Sequence, residues 1–112
     1  MAVIARSLIA SKQAENSQTT QYTAPSGTRT IIDKFTATNS TAGAVTLGVN
    51  IVTSGGSAGA SNLIVDDKSI AAGETYTFPE VVGHVLNPGD FISTLASAAT
   101  SLTIRASGRE VT

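Results

Sequence analysis

The residues that could support acid–base or metal chemistry are few and scattered along this 112-residue chain. Its one histidine, His84, follows Gly83 at a predicted turn, and the chain contains no cysteine. A catalytic pair needs a base beside a nucleophile, and a histidine-based metal site needs several ligands. We therefore predict no catalytic residue and no enzymatic activity, and interpret His84 as a structural or exposed side chain.

Asp66 and Asp67 are the best candidates for holding a cation, because Ca²⁺ takes six or more oxygen ligands. Asp90 or Glu80 could complete such a site if the fold brought either one near. The spacing of a calcium-binding loop is absent, however, and neighbouring residues of a strand point to opposite faces. We interpret the pair as part of a turn or a solvated edge, and predict no metal site.

Residues 54–61, SGGSAGAS, are as rich in glycine as a phosphate-binding loop. They lack the lysine and the GxxxxGK[ST] spacing that such a loop uses, so we predict a flexible loop and no bound cofactor. Residues 39–41, NST, match a glycosylation sequon, which matters only in a secreted eukaryotic chain. Because Arg6 interrupts the apolar N-terminal stretch, no signal peptide is predicted, and the sequon is interpreted as a turn.

Charge and composition argue against several classes of partner. Seven Lys and Arg nearly balance eight Asp and Glu, which leaves no basic surface predicted for nucleic acid. No apolar run approaches the roughly 20 residues that a membrane-spanning helix needs. With 41% hydrophobic but only 4% aromatic residues, the predicted core is aliphatic. Such a core favours association with identical copies, because burial between copies adds to stability.

Short β-branched segments separated by Gly, Pro, Asn and Ser predict an all-β fold. The clearest strand covers residues 44–53, where Val45, Leu47, Val49 and Ile51 define one buried face. A second covers residues 30–38, with Ile32 on one face and Ile31 and Phe35 on the other. Further strands are predicted at 18–24, 62–65, 75–78, 91–96 and 101–111.

Two proline-containing segments predict where strands end. Pro79 has no backbone N–H, so regular pairing should stop there, and residues 79–85 are predicted to form one short helical turn. Residues 86–90, LNPGD, predict a tight turn, because proline presets φ and glycine accepts a positive φ.

About eight strands predict a two-sheet antiparallel β-sandwich, with a jelly roll favoured and an immunoglobulin-like topology as the alternative. We expect one domain over residues 1–112. Residues 1–20 are weakly patterned, and two interpretations stay open for them: an N-terminal arm that contacts a neighbouring molecule, or an ordinary first strand.

Six strand-and-turn segments between residues 28 and 112 form a recognisable set. They are FTATNST (35–41), VTL (45–47), SGG (54–56), IAAGETY (70–76), LNPGDFI (86–92) and LTIRASGREV (102–111). In these segments the chain resembles small structural proteins encoded among the virion genes of tailed phages, including head-decoration or cement proteins.

The resemblance implies a β-sandwich, often a homotrimer, that sits over junctions between capsid subunits and holds them against internal DNA pressure. The implied partners are copies of the chain and the major capsid protein or another virion protein. The implied location is the capsid surface, after synthesis in the host cytoplasm. Two alternatives stay open: a tail, baseplate or fibre-associated adaptor, and a glycan- or receptor-binding module. Sugar stacking usually uses exposed aromatic side chains, and only Tyr22, Tyr76 and three Phe residues are available for it.

Overall fold

Nine β-strands make up most of the chain in the computed structural model, which describes residues 2–112. The strands are β1 (Val3–Gln13), β2 (Thr19–Thr23), β3 (Arg29–Asn39), β4 (Val45–Val52), β5 (Leu63–Ile70), β6 (Thr75–Thr77), β7 (Val85–Leu86), β8 (Phe91–Ala96) and β9 (Leu102–Val111). One turn of 3₁₀ helix, Ala60–Asn62, precedes β5. Between residues 2 and 112 there is no helix with the length and apolarity to span a membrane.

The strands form two antiparallel sheets. Sheet I has the order β1-β9-β3-β6, with the two-residue β7 also paired to β3, and sheet II has the order β2-β8-β4-β5. With the two-residue β7 left aside, β1 and β3 belong to sheet I and β2 and β4 to sheet II, so the chain alternates between the sheets. It crosses again from β5 in sheet II to β6 in sheet I, and from β8 in sheet II to β9 in sheet I. This order of eight strands in two four-stranded layers is that of a jelly roll rather than an immunoglobulin fold. The predicted β-sandwich and its favoured topology are confirmed.

The predicted turns agree with the structure in part, because Val85 and Leu86, where the two predicted segments meet, form β7 instead. Asp90 N donates to Asn87 O at 2.9 Å, and Gly89 has a φ of +88°. Residues 79–83 form consecutive turns that begin where Val81 N and Val82 N donate to Phe78 O. β6 ends at Thr77, two residues before Pro79.

Aliphatic side chains from both sheets fill the space between them. Strand β9 illustrates the pattern, because Leu102, Ile104 and Ala106 are buried and alternate with more exposed residues. Phe78 follows β6 and packs edge-on against Phe35, with ring centroids 5.3 Å apart. Each large side chain buried in this way stabilises the fold by about 1.5–3 kcal/mol. One continuous cluster of buried residues therefore joins the two sheets.

The predicted faces of β3 are wrong in one respect. Ile32 and Phe35 are both fully buried, whereas Ile31 is partly exposed on the opposite face. A β-bulge explains the difference, because Ile32 pairs with Gly108 and Lys34 pairs with Ser107, which leaves Asp33 as an extra residue. The bulge turns Asp33 and Lys34 to the outside in succession.

Residues 3–13 form β1, which pairs with β9 of the same chain at one edge of sheet I. This is the arrangement of a first strand, and its outer edge is not covered by another strand of residues 2–112. Val3 and Ile4 are 57% and 44% exposed. Contact of this segment with a neighbouring molecule stays a prediction.

Candidate interaction surfaces

The outward side of sheet I carries four of the seven basic residues of the chain. Arg29, Lys34, Arg105 and Arg109 are exposed, and on β3 and β9 they are interspersed with side chains that point into the sandwich. The one acidic residue among these β3 and β9 side chains is Asp33. We call the surface formed by these five residues the cationic face. A net charge near zero for the whole chain conceals this uneven distribution.

Asp33 is already engaged by one of the four cations. Arg109 Nη2 donates to Asp33 Oδ1 and Arg109 Nε donates to Asp33 Oδ2, both at 2.9 Å. This two-point contact is the preferred geometry of a guanidinium–carboxylate pair. The hydrogen bonds that Arg109 donates lower the pKa of Asp33 below its usual value. Asp33 therefore pairs with Arg109, while it also lines a shallow depression together with Arg105 and Ser107.

Lys34 and Arg105 lie next to each other on this face. The register pairs Lys34 with Ser107 and Thr36 with Arg105, so the four side chains form a two-by-two patch across β3 and β9. They line a cleft of about 280 Å³, which we call the Lys34–Arg105 cleft. No Asp or Glu of residues 2–112 forms a salt bridge with either cation. Two positive charges and two hydroxyl groups thus face solvent together.

A second β-bulge determines where Asp66 and Asp67, the candidates considered for holding a cation, point. Leu47 pairs with Lys68 and Val49 pairs with Val65, so both aspartates oppose the single residue Gly48. Asp67 adopts a φ of +49°, and a Cβ on Gly48 would lie 3.3 Å from its Oδ1 atom.

The expectation that the two carboxylates point to opposite faces is therefore wrong, because a bulge interrupts the alternation of the strand. Asp66 and Asp67 are both exposed and line one groove, of about 240 Å³, on the outward side of sheet II. We call these two residues the aspartate bulge. Leu63 and Leu95, 37% and 36% exposed, line the same groove.

The loop between β4 and β5 forms one wall of this groove and is held by hydrogen bonds. Asn50 Nδ2 donates to Asn62 Oδ1 at 2.7 Å and to Gly59 O at 3.0 Å. Asn62 Nδ2 donates in turn to Ser57 O. Asn50 is 4% exposed although it points away from the core, because the loop covers it. The segment predicted as a flexible loop is thus anchored to the sheet at several points.

A buried polar contact joins the two sheets at the end of the sandwich near Arg6. Glu110 projects inward from β9 and is 7% exposed. Its carboxylate accepts hydrogen bonds from Tyr22 Oη at 2.6 Å and from Arg6 Nε at 2.9 Å. The hydrogen bond from Tyr22 lowers the pKa of Glu110, while burial and the neighbouring carboxylate raise the pKa of Tyr22 to about 12. The carboxylate is therefore held in its charged form.

The other candidate residues of the sequence analysis do not converge. Asp90 caps nearby backbone, because its carboxylate accepts from Ser54 N at 3.0 Å and from Asn87 N at 2.9 Å. Glu80 accepts from Tyr76 Oη at 3.2 Å, and His84 is exposed on the turn after Gly83. Among residues 2–112 no three His, Asp or Glu side chains are grouped so that they could hold a metal ion.

The aromatic side chains are mostly committed to packing. Phe35 and Phe78 are buried, and Tyr22 directs its hydroxyl group towards Glu110. Tyr76 packs edge-on against Phe78, and Lys68 Nζ lies 4.5 Å from its ring centroid. Tyr22, Tyr76 and Phe91 are only partly exposed. These positions give little support to sugar binding by aromatic stacking.

Sequence reasoning missed both the cationic face and the inter-sheet contact. The sequence contained one signal for the inter-sheet contact. Glu110 falls on the same side of β9 as the buried residues Leu102, Ile104 and Ala106. A carboxylate on a buried face is expected to have a partner. The cationic face forms only because β3 pairs with β9, and the sequence alone does not show that pairing.

Comparison with known proteins shows a shared fold. No protein-family model matches the chain, and the search of curated proteins also found no match. The structure superposes on a chain from the solved structure of infectious bursal disease virus, strain Gx, with a TM-score of 0.56 and 14% sequence identity. The alignment covers 97% of this chain and 32% of that one, so this chain spans about a third of the length of the viral chain. Nearly the whole β-sandwich described above therefore has a counterpart in a chain of that virus structure.

Proposed function

We propose that this chain is a virion structural protein, and that it decorates the head of a tailed phage by binding across junctions between capsid subunits. The observation that carries the virion role is the jelly roll shared with a chain of the infectious bursal disease virus structure over 97% of this chain. The finer assignment is supported by the six sequence segments that resemble phage head-decoration proteins.

The architecture is suited to a protein that acts by contact. Its two sheets are closed around one aliphatic core, so the outward sides of both sheets remain available for partners. Those sides differ in charge: sheet I presents the cationic face and sheet II presents the aspartate bulge. Such a difference fixes which surface meets which partner, because complementary charge contributes more to specificity than to affinity.

The proposal gives this chain no catalytic role. The carboxylates of Asp33, Asp90 and Glu110 are occupied by the contacts described above, and His84 is exposed on a turn. We infer that the chain has two kinds of partner, its own copies and the major capsid protein or another virion protein. The proposed location is the capsid surface.

Binding to virus particles that lack this protein tests the proposal. Purified protein should saturate such particles in a fixed ratio to the capsid subunits and raise the temperature at which they release DNA. Particles that stay bare at saturating protein concentration would contradict a decoration role. Antibody labelling of whole virions then separates the head from the tail, and label on the tail would replace decoration by a tail, baseplate or fibre role.

A further inference from the structure

The Lys34–Arg105 cleft carries two positive charges that form no salt bridge within residues 2–112. Lys34 and Arg105 are diagonal neighbours across the β3–β9 pair, where side chains are close enough to interact. The nearest acidic residue on β3, Asp33, is bound by Arg109 at two points. Like charges in such positions repel each other, so an anion between them would be favoured. Thr36 and Ser107 add two hydroxyl donors to the same cleft.

The aspartate bulge has an excess of negative charge. Asp66 and Asp67 are consecutive, exposed and turned into the same groove, and no Lys or Arg of residues 2–112 forms a salt bridge with either of them. Lys68 follows directly but lies over the Tyr76 ring instead. Leu63 and Leu95 add partly exposed apolar surface in the same groove. The two exposed carboxylates are complementary in charge to the two exposed cations of the Lys34–Arg105 cleft.

We propose that the aspartate bulge of one copy docks into the Lys34–Arg105 cleft of a second copy. Two carboxylates would then face two cations, with the Arg105 guanidinium able to bind a carboxylate at two points. The two surfaces lie on opposite sheets, so a single copy cannot bring its own bulge to its own cleft. The contact joins unlike surfaces, so each copy offers one of each, and association continues until a ring closes or a filament grows.

This docking would provide the self-association that the proposed decoration function includes. Only the expectation that the copies close into a ring rests on that proposed function. The docking is measured on purified protein without particles. Loss of this contact and failure to bind a capsid are therefore separate results.

Complementary charge reversal tests the docking directly. One variant carries Lys34→Glu with Arg105→Glu, and the other carries Asp66→Lys with Asp67→Asn, since asparagine tolerates the positive φ at position 67. Sedimentation velocity over a range of concentrations should show each variant as a monomer where the unmodified protein associates. An equimolar mixture of the two variants should associate again, because each supplies the surface that the other has lost.

Single charge reversals outside the cleft and the aspartate bulge serve as controls. Arg29→Glu lies on the cationic face outside the cleft, and Glu80→Lys lies on the turn after β6; both should associate at least half as strongly as the unmodified protein. Circular dichroism and urea unfolding verify that all variants remain folded. Raising the salt concentration from 0.05 to 0.5 M should weaken association of the unmodified protein by roughly tenfold or more, because exposed charge pairs are screened.

Several results would overturn the docking. An unmodified protein that stays monomeric at millimolar concentration would do so, as would folded variants that associate as well as the original. A mixture of folded variants that fails to associate would also contradict it. If Lys34→Glu with Arg105→Glu leaves self-association intact but abolishes binding to particles or to DNA, the cleft serves that other partner rather than a second copy.

Discussion

The Tyr22 hydroxyl of sheet II donates a 2.6 Å hydrogen bond to the Glu110 carboxylate of sheet I. Thr30 Oγ1 lies 2.7 Å from the same hydroxyl, and Arg6 contacts the other carboxylate oxygen. The contact therefore connects four strands at a position where the neighbouring core is apolar. A buried carboxylate with fewer hydrogen bonds would cost stability, which makes this contact the most informative one to alter.

Tyr22→Phe should lower the free energy of unfolding by about 1–3 kcal/mol, because Glu110 would lose a donor while staying buried. Equilibrium urea unfolding measures the change. Tyr76→Phe is the matched control, since the Tyr76 hydroxyl only reaches the exposed Glu80 at 3.2 Å. That substitution should change stability by less than about 0.5 kcal/mol. Equal effects of the two substitutions would show that the inter-sheet contact has no special weight.

Alkaline pH should destabilise the protein through Tyr22. The folded state raises the pKa of Tyr22 from 10.0 to about 12 and so holds the proton more tightly than the unfolded chain does. This contribution is complete below pH 10 and is lost as pH rises towards 12. Urea unfolding from pH 8 upward should show the decline, and Tyr22→Phe should remove most of it. Tyrosinate absorbance of the Tyr76→Phe variant should report a single late titration, and a midpoint near pH 10 would contradict the assignment.

Acid should weaken the same contact by protonating the Glu110 carboxylate. The folded state lowers the pKa of Glu110 below 4.5, chiefly through the hydrogen bond from Tyr22. Its contribution to stability is present above pH 4.5 and is lost as pH falls through the lowered pKa. Glu110→Gln should flatten the stability profile in that interval. A Glu110→Gln profile that falls as steeply as the original would assign acid sensitivity to other carboxylates, such as Asp33.

Gly108→Ala should be strongly destabilising, by about 1–3 kcal/mol. A Cβ at position 108 would collide with the Ile31 carbonyl oxygen of β3 and with the Leu8 side chain of β1. Gly43→Ala is the control, because a Cβ there meets no atom of residues 2–112 within 4 Å and the backbone is not left-handed. It should be neutral or stabilise by about 0.4–1 kcal/mol. Thermal unfolding of the two variants gives the comparison, and similar melting temperatures would argue against a tight approach at Gly108.

Asn62→Ala should loosen the loop between β4 and β5 while leaving the sandwich folded. The substitution removes the acceptor for Asn50 Nδ2 and for Gly59 N, and the donor to Ser57 O. Limited proteolysis should therefore cut within residues 53–61 at least several-fold faster than in the original protein, because fewer contacts hold the loop. Asn87→Ala, whose side chain makes no hydrogen bond within residues 2–112, serves as the control. An unchanged cleavage rate at residues 53–61 would mean that Asn62 is not what anchors the loop.

The sequence predicted most of the fold because alternation and turn chemistry are local signals. Strand β8 was predicted at its observed bounds, and β4 within a residue at each end. The faces of β3 were not predictable, since one extra residue at Asp33 shifts the alternation and only pairing with β9 reveals it. The candidate surfaces depend on the same kind of information: Asp66 and Asp67 share a face because they oppose Gly48 across the sheet.

The two bulges have a consequence for how this protein can vary. Deleting Asp33 would leave Ile32 inside, Lys34 outside and Phe35 inside, which is the regular alternation of a strand. Deleting one of the two aspartates would likewise leave Val65 and Lys68 paired as they are, with a single carboxylate between them. Inserting or deleting one residue at either point thus changes the exposed side chains, while the buried side chains keep facing the core. A change of one residue in length at either point is therefore expected to alter the surface charge without moving the buried side chains on either side of it.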